Sequence, residues 1–315
     1  MKSLFILAIA VLADFSTRAA NVDPTRFDLV QSYAARSSAL SPAGNVFAFY
    51  SGNSVVLQDA RAGHETFRLA GHNGNIHDSG WSRDGRLFAT SGYDATVRVW
   101  DVSTGKSLCS IAAHAGYACS VTISPDGKRV ATGGSADNTV KIFEIATGRE
   151  IRSMQTPPGA VFTLGYTGNG RYLIASHADG TLRAWDAETG LEAKNLSSTA
   201  GYVHAYAFSR DGRWAAFPTP EGAIVILETG SWQEAATLEG HPGGTSYLSF
   251  DPTGRFLATT GADGSVKAWD LRSRKMVKSL ATGVGPNSRI AFAADGQSLV
   301  VTGTDGTVRV FGKKP

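Results

Sequence analysis

Residues 71–101 read GHNGNIHDSGWSRDGRLFATSGYDATVRVWD, and residues 240–270 read GHPGGTSYLSFDPTGRFLATTGADGSVKAWD. The two stretches have equal length and share Gly-His at the start, Gly-Arg in the middle and Trp-Asp at the end. Self-similarity at a fixed period marks stacked supersecondary units, so the period decides the architecture. Outward from these stretches the terminal pair recurs as Gln58-Asp59, Trp100-Asp101, Phe143-Glu144, Trp185-Asp186, Leu227-Glu228, Trp269-Asp270 and Phe311-Gly312, in steps of 42 residues with one of 43. A second column, Gly44, Gly85, Gly127, Gly170, Gly212, Gly254 and Gly296, keeps the same beat to within one residue.

One unit reads as four short strands. Asp-Gly pairs supply the positive φ angles of tight hairpins, and apolar residues alternate with polar ones on either side. One strand runs to Trp81, a turn covers Arg83 to Arg86, and strands follow at Leu87 to Ser91, Thr96 to Asp101 and Leu108 to Ala112. In the third strand Val97 and Val99 share a face, as do Val140 and Ile142, Ile224 and Ile226, and Val308 and Val310. A uniformly aliphatic face fixes the register of that strand, because a slip by one residue would turn it to solvent.

Composition agrees with an all-β chain. Of 315 residues 42% are hydrophobic, 18% are charged and 36 are glycine, with a formal charge of +3. A large core is available, and the small, dispersed charge argues against attraction to nucleic acid or to an anionic membrane. Seven periods account for residues 21–315, so a single propeller domain is the expectation for this stretch.

With the repeat in view, Gly71-His72, Thr90, Asp94 and Trp100-Asp101, and again Gly240-His241, Thr259, Asp263 and Trp269-Asp270, resemble WD40 repeats. Units 3 and 4 keep parts of the pattern (His114, Thr132, Asp137 and Phe143; Asp179, Trp185 and Asp186), whereas Gln58 and Leu227 replace the aromatic in units 1 and 5. The resemblance implies a seven-bladed β-propeller of four-stranded antiparallel blades, at about residues 34–70, 71–112, 113–155, 156–197, 198–239, 240–281, and 282–315 completed by 26–33. That last overlap closes the ring and removes an open strand edge.

The resemblance also assigns roles. His72, Thr90, Asp94 and Trp100, with His241, Thr259, Asp263 and Trp269, form structural hydrogen-bonded tetrads, although hydroxyl, imidazole and carboxylate are also the groups of a catalytic triad. A constellation that recurs blade by blade holds blades. The basic residues Arg98, Lys141, Arg183, Lys267 and Arg309, two before each aromatic position, are expected as a solvated rim; with no interleaved aromatics they make no nucleic-acid track. The seven scattered histidines lack metal-site spacing, and no phosphate-cradling loop is present, so no catalytic residue, metal or cofactor is expected.

The remaining informative positions are those that line the top face around the channel in WD40-like proteins. Carried over to this chain they are Asn75, His77, Tyr93, Tyr117, Phe162, Tyr202 and His204, with Gly244, Ser246, Pro286 and Ser288 as small or polar groups. An aromatic patch of this kind suits a protein or peptide partner. The expectation is a non-enzymatic, monomeric scaffold. The alternatives are a lactonase-like hydrolase or quinone-dependent oxidoreductase on a propeller, or a glycan- or peptidoglycan-binding module.

At the N-terminus, Lys2, the apolar run Leu4 to Ala13 and the small residues near Ala19 resemble a secretory signal peptide over residues 1–20. About ten apolar residues are too few to span a bilayer. A periplasmic or secreted protein follows as the expectation, with no transmembrane segment once the signal is removed. Cys109 and Cys119 are expected as free thiols, on an outer strand and on the inner strand of the next blade.

Overall fold

A computed structural model of the chain describes residues 23–313 apart from 35–37, 60–61, 197–205, 220, 282, 284, 287, 294–295 and 306. The signal peptide expected over residues 1–20 lies outside the described residues. Among those described, strands form seven antiparallel four-stranded sheets, six of them from consecutive strands. In the blade that holds the opening stretch these are Ile76–Trp81, Leu87–Gly92, Thr96–Asp101 and Ser107–Ala112, from the central channel outward. No helix among the described residues is long and apolar enough to cross a membrane.

The turns follow from their chemistry. After the innermost strand of blade 2, the Ser82 hydroxyl donates to Asp84, which also accepts the Arg86 amide at 3.0 Å, and Gly85 takes φ +72° where a side chain would be strained. Ser124-Asp126-Gly127 and Ser209-Asp211-Gly212 repeat this arrangement in blades 3 and 5.

The core lies between blades. Among the described residues the buried side chains fall into seven clusters, one at each blade interface: Leu57 and Leu69 meet Phe88 and Trp100 between blades 1 and 2, and Phe47 meets Val300 and Val308 between blades 1 and 7. The third-strand aliphatics Val97, Val99, Val140, Ile142, Ile224 and Val308 are fully buried, as their shared face requires. Val310 is only half-buried, beside the closing strand.

Closure occurs where the sequence placed it. Strand Phe27–Ala34 pairs antiparallel with Thr307–Lys313, from Phe27 opposite Lys313 to Ala34 opposite Thr307, and completes the seventh sheet. Phe27 is buried in the cluster between blades 6 and 7, and Lys278 Nζ donates to the Thr25 carbonyl at 3.1 Å. Without the closing strand, Thr307–Lys313 would be the outer edge of the last blade, open to pairing with another chain.

Candidate functional site

The tetrads tie the strands of a single blade to one another. In blade 2 the indole N–H of Trp100 donates to Thr90 Oγ1 at 2.9 Å, Thr90 meets His72 Nε2 at 2.8 Å, and His72 Nδ1 lies 3.0 Å from Asp94. Burial lowers the proton affinity of His72, so the ring is neutral: Nδ1–H donates to the carboxylate and Nε2 accepts the hydroxyl hydrogen. Burial would raise the Asp94 pKa, but hydrogen bonds from Thr96, His72 and the Asn73 amide hold it down to about 2. His241, Thr259, Asp263 and Trp269 repeat the chain at 2.8–2.9 Å in blade 6. Every polar group here is spent on a neighbour within its own blade.

Blades 3 and 4 show what the pattern requires. In blade 3, His114 meets Asp137 at 2.9 Å, but Phe143 has no N–H to give, and the Thr132 hydroxyl and His114 Nε2 make no hydrogen bond. Gly92, Gly134 and Gly261 end the second strand of the blades that carry the histidine because a Cβ there would collide with that histidine or its aspartate. In blade 4 Pro157 stands where the tetrad histidine would be, and His177 fills the space from the second strand, edge-on to Trp185 at 5.8 Å.

The basic column is not a solvated rim. Lys267 Nζ donates to the Gly240 carbonyl at 2.8 Å, lies 3.8 Å from Asp263 and passes over the Trp269 ring, leaving its side chain 16% exposed. Lys141 repeats this with Ala113 and Asp137, while Arg183 and Arg309 pair with Glu192 and Asp305. The Arg98 guanidinium packs beside Gly71 and Trp100. The charged ends meet carboxylates of the same blade or backbone carbonyls, and the Lys267 stem lies over the aromatic, so sequence spacing alone mistook an inter-strand brace for a solvated edge.

At the edge where the inner strands begin, here called the top face, a bulge recurs. The register shifts between Ile76 and Asp78, Ala118 and Ser120, Val161 and Thr163, and Thr245 and Tyr247. A bulge leaves one residue unpaired and re-aims its side chain. That residue is His77, Cys119, Phe162 or Ser246.

His77 is exposed and its Nδ1 lies 2.6 Å from the Cys119 carbonyl, which ties blades 2 and 3 together at the channel mouth. Around it stand Tyr93 and Tyr117, 55% and 39% exposed, with ring centroids 5.0 Å apart. His77 meets Tyr93 edge-on at 5.5 Å and Tyr117 at 6.1 Å. Asn75 is exposed on the same edge, where its carbonyl accepts the Tyr93 amide at 2.9 Å.

Thus Asn75, His77, Tyr93 and Tyr117 come together. Phe162 is half-buried one blade further on, and Tyr202 and His204 lie outside the described residues. Gly244 and Ser246 are half-buried and Pro286 is exposed, but Ser288 is buried, its hydroxyl donating to the Gly285 carbonyl.

Sequence reading missed the charges inside the channel. Asp78, Tyr247 and Arg289 occupy one register position of their inner strands, where blades 3 and 4 carry Ser120 and Thr163. Asp78 accepts the Val121 amide at 3.2 Å, and the Arg289 guanidinium lies 5.8 Å from the Tyr247 ring. Burial raises the Asp78 pKa although Arg289 opposes the shift; burial, then the charge of Asp78, pushes Tyr50 up to about 12. The signal was a column at 42-residue steps in which hydroxyls give way to an acid and a base.

The arrangement offers recognition by aromatic and polar groups, and among the described residues no cluster of histidine, cysteine and carboxylate groups could hold a metal. Cys109 is half-buried on an outer strand and Cys119 buried on an inner one, both as free thiols. Burial pushes Cys119 up to about 11.

Comparison with known proteins gives the same architecture. The family described as WD domain, G-beta repeat matches residues 63–101, 105–144, 148–186, 232–270 and 278–312. Protein tipD of Dictyostelium discoideum is 30% identical over 110 residues, 35% of this chain and 18% of that protein. Protein hir1 of Schizosaccharomyces pombe is 37% identical over 79 residues, 25% of this chain and 8% of the relative. Eukaryotic translation initiation factor 3 subunit I of Aspergillus oryzae is 34% identical over 107 residues, 34% of this chain and 31% of the relative. The chain thus spans less than a third of the length of each. These relatives overturn the expectation of a periplasmic or secreted protein, since a translation initiation factor subunit is a protein of the cell interior. With matches over five of its seven repeats and the ring of four-stranded sheets they build, the chain belongs to the WD40 (WD domain, G-beta repeat) family.

Proposed function

We propose that this propeller is a non-enzymatic scaffold that docks protein or peptide partners on its top face. The observation that carries the proposal is the exposed Tyr93–Tyr117 pair, braced by His77 across blades 2 and 3 beside the channel mouth. Tyrosine rings supply large contact area at low entropic cost, and two of them side by side on a rigid sheet edge form a preorganised anchor. The site extends to Asn75 and Phe162, and the proposal adds Tyr202 and His204 on blade 5.

A protein partner is favoured over nucleic acid because Lys141, Arg183, Lys267 and Arg309 already pair with Asp137, Glu192, Asp263 and Asp305, which leaves no continuous cationic track for phosphates. The test is a Tyr93→Ala, Tyr117→Ala double variant compared with the parent chain in affinity capture from cells that express it, with the melting temperature measured on both. Loss of bound partners from a variant that melts normally is expected. Retention of every partner by the folded variant would refute the proposal.

A further inference from the structure

At the opposite mouth of the channel, where the inner strands end in their first turns, a cavity of about 220 Å³ opens between blades 1 and 2 on one side and blades 5, 6 and 7 on the other. The first-turn position that begins this lining is Pro42, Pro125 and Pro252 in blades 1, 3 and 6, Gly168 in blade 4, and arginine in blades 2 and 5. Arg83 and Arg210 are the departures. Both are exposed, and both line the cavity.

Neither guanidinium meets a carboxylate among the described residues. Arg83 reaches past blade 3 to donate from Nη1 to the Gly168 carbonyl at 3.2 Å, which fixes its direction; its other N–H groups have no side-chain partner among the described residues. The Arg210 side chain, also exposed, has no hydrogen-bond or ion-pair partner among the described residues. Burial, and then the charge of Arg210, lowers the pKa of Arg83, as expected of two cations facing one space.

The nearby acids are already engaged. Asp251 accepts the Thr253 amide at 2.9 Å and also the Phe256 amide, and Asp84 and Asp211 accept amides of their own turns at 3.0 Å. The floor is apolar: Phe208, Phe250 and Phe292 stand at the ends of three consecutive inner strands. Two cations over an aromatic floor complement an anion attached to an apolar group.

We propose that this mouth docks an acidic peptide segment, with a carboxylate side chain between Arg83 and Arg210 and an apolar or aromatic neighbour on the phenylalanine floor. The site is separate from the tyrosine patch and independent of it. Two guanidinium groups without a carboxylate partner among the described residues favour a planar carboxylate, which accepts from both at once, and the three phenylalanines give a peptide something to bury that a free anion lacks.

The experiment titrates the full chain calorimetrically with an acetylated, amidated peptide of alternating glutamate and phenylalanine. Controls are the same peptide with glutamine for glutamate, and inorganic phosphate. The acidic peptide is expected to bind saturably, and the glutamine peptide at least about tenfold more weakly, as loss of charge-assisted bonds implies. Arg210→Ala, which removes a side chain with no partner among the described residues, should keep the melting temperature and lose about tenfold in affinity. Arg83→Lys should bind between Arg83→Ala and the parent. The Tyr93→Ala, Tyr117→Ala variant should bind the peptide as the parent does, so failure here is distinct from failure of the top-face proposal. The inference is overturned by absence of saturable binding, by an Arg210→Ala variant of unchanged affinity, or by inorganic phosphate competing as well as the acidic peptide.

Discussion

Replacing Thr90 by valine removes one oxygen from the middle of a chain that runs from the Trp100 indole through Thr90 and His72 to Asp94. Size barely changes, so packing costs are small. Two buried polar groups, Trp100 Nε1–H and His72 Nε2, lose their partner, and each costs about 1–3 kcal/mol when left unsatisfied. The added methyl returns about 1 kcal/mol of apolar burial, which leaves a net loss of roughly 1–5 kcal/mol. Blade 3 supplies the internal control. Thr132 is equally buried, but its hydroxyl has no partner, because Phe143 donates nothing and His114 Nε2 stays unbonded. Thr132→Val therefore relieves a cost rather than creating one, and should be neutral or stabilise by up to about 2 kcal/mol. Thr259→Val in blade 6, where Trp269 and His241 flank the hydroxyl, should behave like Thr90→Val. Urea unfolding followed by circular dichroism gives the comparison, provided the slope is unchanged between variants. Equal costs for Thr90→Val and Thr132→Val, or a Thr90→Val cost below about 0.5 kcal/mol, would refute the view that these bonds hold the blades.

Acid should destabilise the protein in two stages. Burial keeps His72, His114, His177 and His241 below the ordinary 6.5, so below about pH 6.5 the unfolded chain binds more protons and stability falls. Asp94, held at about 2, adds a loss from its ordinary 3.8 downward; urea midpoints that do not fall between pH 7 and pH 5 would contradict the neutral histidines. Deleting residues 26–33 removes the closing strand and Phe27, and should give an aggregating or poorly folded chain, whereas a cooperative melt at unchanged temperature would show that the ring closes without them. Phe27→Ala alone should cost about 3–5 kcal/mol by the same unfolding assay. Both cysteines should titrate as free thiols after unfolding without reductant, Cys119 only slowly before it; a disulfide in the native protein would contradict their separate strands.

How much of this was readable in the sequence depended on the range of each interaction. The repeat at 42 residues, the hairpin turns and the closing strand are set by local residue types, and the tetrads by residues within one unit, so seven sheets and their bolts could be read directly. The bulges could not. A shift of one residue at Ile76/Asp78 breaks the period-2 alternation, so spacing did not reveal that His77 turns out while Asp78 stays in the ladder. The same limit misplaced the basic column: Lys267 is braced by the Gly240 carbonyl, 27 residues away in sequence, and exposure is a property of that contact. The Arg83 and Arg210 pair is more distant still, since only ring closure brings first turns of blades 2 and 5 to one cavity. His177 was the most instructive omission, because its place is explained by the absence of a tetrad histidine in its own blade.

Hydrogen exchange on the chain, alone and bound to a partner captured by it, tests the top-face assignment most directly. With partner bound, the amides of residues 73–77, 92–95 and 115–118, which surround Tyr93, Tyr117 and His77, should exchange more slowly while the outer strands Ser107–Ala112 and Glu150–Gln155 stay unchanged. Protection confined to the outer strands or to the opposite mouth, with residues 73–77, 92–95 and 115–118 exchanging as in the free chain, would contradict it.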